Sequence, residues 1–148
     1  MSHSEIRRLF IDSGKCHPGF AWYVGTTFAG CGLSGPAFDW ADEVYFEMPV
    51  YNRRRSASPQ SLIKLAAAGA LAAGRHAPPA AYVAEIDVSW KGNAPKSIMA
   101  ARLREWMTED ERDLLGDCLL NIPTARRHDP EDAACMGKWW LREKGLRP

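Results

Sequence analysis

Two hydrophobic periods divide the chain. Up to about residue 50 the apolar positions alternate or cluster in short runs, the signature of half-buried or buried strands. IRRLFIDSG (6–14) ends an apolar run on Asp-Ser-Gly, a strand closing on a turn, and GFAWYVGT (19–26) follows as its hairpin partner. A third strand is predicted within Phe28–Leu33, then the loop SGPAFDWAD (34–42) and a buried strand in EVYFEMPV (43–50), apolar except for Glu47 near its exit. From Ser58 the period becomes helical. Ser58 is a candidate N-cap with Pro59 at the first helical position, and SLIKLAAAGALAAG predicts about four turns stopped by Gly74 and Pro78-Pro79. AAYVAEIDV returns to strand character. Pro95 opens a helix KSIMAARLREWM with Ile98, Met99, Leu103 and Trp106 or Met107 on one face, and Glu109–Leu115 reads as a helical turn or two. HDPEDAACMGKWWLREKG predicts a C-terminal helix with Asp129 capping and Pro130 first inside. Strands, helix, strand, helices imply an α/β domain with a mixed sheet.

The 148 residues suit a single domain, 1–148, and the 46% apolar and 25% charged composition is that of an ordinary globular chain. The longest apolar stretch, Leu65–Ala73, is far short of the roughly 20 residues of a membrane span, and MSHSEIRR lacks a secretory h-region. Cys16, Cys31, Cys118 and Cys135 form no CxxC pair, so free thiols in a reducing cytoplasm are expected. The net charge of +1 argues against a histone-like polyanion binder, but its distribution is uneven. Residues 48–104 hold nine basic and two acidic side chains, whereas the flanking stretches are net acidic. A basic middle between acidic ends suits a polyanion-binding surface beside a carboxylate cluster; it is also what solvated charges falling unevenly would give.

Four acids stand where elements emerge: Asp12 after the first strand, Glu47 at the end of the fourth, and Asp129 and Asp132 at the head of the last helix, spaced i, i+3 on one face. Each has a bland alternative, Asp12 as a turn residue and Asp129-Pro130-Glu131-Asp132 as a good helix start. Glu47 is harder to dismiss, since a charge within VYFEMPV is costly unless paired. Brought together, four carboxylates would repel unless cations sat among them. Hard oxygen donors favour Mg²⁺ or Mn²⁺, and a shared carboxylate can bridge two ions that activate water for phosphodiester hydrolysis.

LFIDSGKCHPGFAWYVG, VYFEMPVY and HDPEDAACMGKWW resemble, in family order, the first hairpin, the second acidic strand and the closing Asp-x-x-Asp-Ala-Ala helix of RuvC-type Holliday-junction resolvases (crossover junction endodeoxyribonucleases). The match spans nearly the whole chain, and the compact length is similar to bacteriophage versions. The resemblance implies a ribonuclease H-like fold and a homodimer in bacterial or phage-infected cytoplasm. It also implies Mg²⁺-dependent cleavage of four-way DNA junctions (Mn²⁺ substituting, two ions per subunit), with no small-molecule cofactor and no membrane. Asp12, Glu47, Asp129 and Asp132 would be the metal-binding catalytic acids. Lys91 and Lys96 match basic positions near the scissile phosphate, and Tyr51 stands near the expected aromatic wedge, although Met48-Pro49-Val50-Tyr51 departs from the family pattern. Arg53, Arg54 and Arg55 are natural phosphate contacts or a solvated loop. His128 beside Asp129 suits either proton transfer or an exposed position before the cap. The alanine-rich helix 62–73 suits either a dimer seam or a plain core helix. Two further readings stay open: a related nuclease on other branched DNA or on RNA/DNA hybrids, and a non-catalytic DNA-binding or assembly module.

Overall fold

The computed structural model describes residues 6–13, 17–49, 58–87 and 94–146. Five strands form one mixed sheet in the order β3-β2-β1-β4-β5: β1 (Arg7–Asp12), β2 (Gly19–Val24), β3 (Thr27–Gly32), β4 (Glu43–Met48) and β5 (Tyr82–Asp87). The first three make an antiparallel meander, whereas β4 and β5 add in parallel beside β1. The carboxyl ends of β1, β4 and β5 therefore open on the same edge of the sheet. Parallel addition requires crossovers, and the 18-residue helix α1 (Pro59–His76) supplies the one between β4 and β5. The α/β class and the mixed sheet flanked by helices are as the sequence predicts.

Alternation along β1 sends Leu9 and Ile11 to one face and Arg8, Phe10 and Asp12 to the other. The first face meets α1, with Leu9, Ile11, Phe20, Val44, Phe46, Ala72 and Ala73 as its core. The second face meets α2 (Lys96–Trp106), α3 (Glu109–Leu120) and α4 (His128–Glu143) over the larger core, in which Phe10, Tyr23 and Tyr45 pack against Ala133, Ala134 and Met136. Glycine makes the close approaches possible. A Cβ at Gly69 would lie 2.2 Å from the Ser13 hydroxyl, and one at Gly137 would lie 2.5 Å from the Tyr23 ring.

A buried ion pair ties three elements together. Lys138 of α4 meets Glu111 of α3 at 2.8 Å, each side chain 3% exposed. Glu111 also accepts from the Phe28 N–H of β3 and, at 3.0 Å, from the Thr108 N–H in a reciprocal capping box. Lys138 stands three residues before buried Leu141 and four after buried Ala134, so the same logic that singles out Glu47 applies to it.

Several local expectations need correction. Helix α1 runs through Gly74 to His76, because Gly74 faces open space and only Ala77, ahead of Pro78, is forced out of helical geometry. In α2 the buried residues are Met99 and Leu103, while Ile98 is 45% exposed. The stretch from Glu109 is a full twelve-residue helix, nucleated by the capping box and anchored by Leu115 and Leu119. Asp129 is not the N-cap of α4: a 3-10 turn at Thr124–Arg126 leads into Arg127, itself in helical geometry, and the helix starts at His128. No helix among the described residues is long and apolar enough to cross a membrane. Cys31, Cys118 and Cys135 are free thiols.

Candidate active site

The two strand acids become neighbours through parallel pairing. Ile11 lies opposite Phe46, so Asp12 and Glu47 occupy the next level at the carboxyl edge of the sheet. Both belong to the alternating set that includes Phe10 and Tyr45, whose rings stack at 5.3 Å, so both share the face covered by α4. They are 6% and 7% exposed. The end of β1 is fixed to β4 by Ser13, whose hydroxyl donates to the Glu47 carbonyl at 3.0 Å.

Gly19 brings in the helix acids. It is the antiparallel partner of Asp12. A Cβ there would lie 2.2 Å from the Asp129 carbonyl carbon and 2.5 Å from the Pro130 nitrogen. The head of α4 therefore rests on the strand residue facing Asp12, an arrangement only glycine permits. Asp129 and Asp132 follow on the first turns, both half-buried. The Asp129 carboxylate is not used in capping; it meets the His128 imidazole at 3.0 Å. Glu131, between the two aspartates, is drawn away by Arg104 of α2 at 2.8 Å. Three remote segments thus deliver Asp12, Glu47, Asp129 and Asp132 to one end of the molecule.

The donor chemistry suits a hard divalent cation. The fit is one of donor type and backbone position: among the described residues no three Asp, Glu, His or Cys side chains stand close enough together to hold an ion.

Lys96 is not brought to this place. Helix α2 runs antiparallel to α4, with the Cys135 thiol donating to the Met99 carbonyl at 3.6 Å and Arg104 meeting Glu131. Lys96 is exposed at the other end of α2, about 12 Å along the axis from Arg104 at 1.5 Å per residue. The end of α2 that reaches the acidic head is its last turn. Tyr51, Arg53, Arg54, Arg55 and Lys91 lie outside the described residues.

Sequence reading missed Gly19 and Arg104. Gly19 reads only as a strand boundary, and nothing in the letters says which helix lies on it. No known protein-family model and no curated protein matches this chain.

Proposed function

We propose that this chain is a divalent-metal-dependent endonuclease of ribonuclease H-like architecture that resolves four-way DNA junctions. One observation carries the reading: Asp12 and Glu47 lie side by side where two parallel strands end, on the face where Gly19 seats the head of α4 with Asp129 and Asp132. Ligands of open α/β sheets bind at the carboxyl ends of parallel strands, where these acids are. A non-catalytic binding module would gain nothing from placing carboxylates beside the phosphates it must attract.

The strand acids come from rigid, buried backbone, which suits groups that must hold a reacting phosphodiester in register. Arg104 removes Glu131 from competition with its neighbours. Asp12, Glu47, Asp129 and Asp132 would hold Mg²⁺ or Mn²⁺, which when bound activates water and stabilises the leaving oxygen. A homodimer gives two equivalent sites for two opposing strands of a two-fold junction. On the outer side of α1, Ile63 is 67% and Leu71 57% exposed, apolar surface that such a partner would cover.

The test is incubation of the purified full-length chain with a synthetic four-way junction, a flap, a linear duplex and an RNA/DNA hybrid, with and without Mg²⁺ or Mn²⁺, mapping cuts on every strand. Paired symmetric nicks confined to the four-way substrate are expected. Glu47→Ala should abolish cleavage and leave junction binding intact; cleavage retained in that variant overturns the site.

A further inference from the structure

Two arginines stand one and two residues ahead of α4, at the end of the helix that carries the acids, and both are half-buried. The chain reaches them through the 3-10 turn, closed by the Arg126 N–H donating to Pro123 at 2.8 Å. Arg127 is pinned: its Nε donates to the Ile122 carbonyl at 2.8 Å. Its four remaining N–H donors, and all five of Arg126, find no acceptor among the described residues, and no carboxylate there pairs with either. Other arginines of the helical layer are engaged. Arg104 meets Glu131, Arg112 donates to the Arg104 and Met107 carbonyls, and Arg142 lies 4.9 Å from the centre of the Trp106 ring.

Arg126 and Arg127, which pair with no carboxylate among the described residues, stand three and two residues before Asp129, and Asp129 itself meets His128. Their planar donor forks match phosphate oxygens, and fixing Nε against backbone removes much of the entropy cost of aligning the other two nitrogens. We infer that Arg126 and Arg127 form a phosphate clamp that grips the nucleic-acid backbone next to the acidic site. This rests on the nuclease reading and adds to it the residues that hold substrate on the α4 side. The clamp reads phosphates and not bases, so it is indifferent to sequence.

The experiment is fluorescence anisotropy of a labelled four-way junction with Ca²⁺ in place of Mg²⁺, across a salt series, for wild type, Arg126→Ala, Arg126→Ala/Arg127→Ala, Arg127→Lys and Lys144→Ala. The double variant should lose about tenfold or more in affinity, and its log K against log salt slope should fall by about one to two, one per phosphate contact. Arg127→Lys, keeping the charge but not the fork, should fall between. Lys144, exposed beyond the far end of α4, should leave affinity and slope unchanged. The Arg126 side chain makes no hydrogen bond or ion pair among the described residues, so Arg126→Ala breaks no such link, and a circular dichroism melt of the variant separates a reduced slope from unfolding. Wild-type affinity and slope in the double variant, from a protein that binds and cleaves junctions, would overturn the clamp and leave the nuclease standing. A wild type that neither binds nor cleaves any nucleic acid removes the nuclease reading, and the clamp with it.

Discussion

Replacing Gly19 by alanine is a one-methyl perturbation aimed at the contact that brings the helix acids to the strand acids. The added Cβ would lie 2.2 Å from the Asp129 carbonyl carbon and 2.3 Å from its oxygen. Carbon atoms rest at about 3.5–4.0 Å, so the head of α4 must retreat by about 1.3 Å or more. Both sides of the contact are backbone, and no rotamer change can relieve it. Overpacking of this kind costs about 1–3 kcal/mol. At about 2–4 °C per kcal/mol for a chain of this size, a cost near 2 kcal/mol lowers Tm by about 4–8 °C. The displacement also carries Asp129 and Asp132 away from Asp12 and Glu47. A shift of about 1 Å at a reacting centre can cost about 100-fold in rate. Circular dichroism melting gives the first effect, and junction cleavage against Mg²⁺ concentration the second, with a higher Mg²⁺ requirement expected. A Gly19→Ala protein with wild-type Tm and wild-type Mg²⁺ dependence would show that α4 is not seated on β2 at this point.

Gly74→Ala serves as the opposite case. It is an exposed interior position of α1 with nothing within 4 Å of the new Cβ, so Tm should rise, by about 0.5–1 kcal/mol of stability. A lower Tm would mean that the helix does not extend through residue 74. The Glu111–Lys138 pair predicts an acid sensitivity. Burial alone would push the Glu111 carboxyl up, but the Lys138 ammonium and then the Thr108 and Phe28 N–H groups outweigh it and hold the carboxyl below its ordinary value. The folded state therefore binds this proton less readily than the unfolded chain. The stabilisation is complete above the unfolded value of about 4.3 and is lost as pH falls through the lower folded value. Wild-type Tm should drop more steeply on acidification than that of Glu111→Gln/Lys138→Met, and parallel curves would refute the linkage. Lys138→Met alone, leaving the carboxylate buried and unpaired, should cost about 3–5 kcal/mol by chemical denaturation.

Much of the architecture was legible as pattern. Asp-Ser-Gly and Gly19 bounded the first two strands, Ser58-Pro59 began α1, and the change of hydrophobic period at that point separated the strand-rich half from the helical half. Local signals misled where neighbours overruled them. Asp129-Pro130 looks like a cap and a first turn, yet the 3-10 turn ahead of it starts the helix at His128 and leaves the Asp129 carboxylate to the imidazole. Lys96 looks like a basic group at a helix start facing the site, yet the antiparallel course of α2 along α4 sends it to the other end.

The sequence alone determined which residues could carry charge into the interior. Glu47 inside an apolar strand and the i, i+3 pair Asp129 and Asp132 are facts of spacing, because strand alternation and helical repeat are set by local geometry. Tertiary structure alone decided which of them meet. The parallel register that sets Asp12 beside Glu47, the contact of Gly19 with the Asp129 backbone, and the pairing of Lys138 with Glu111 join segments 27 to 110 residues apart. Contacts at such separations depend on how whole faces pack, and a local window along the chain carries no record of that.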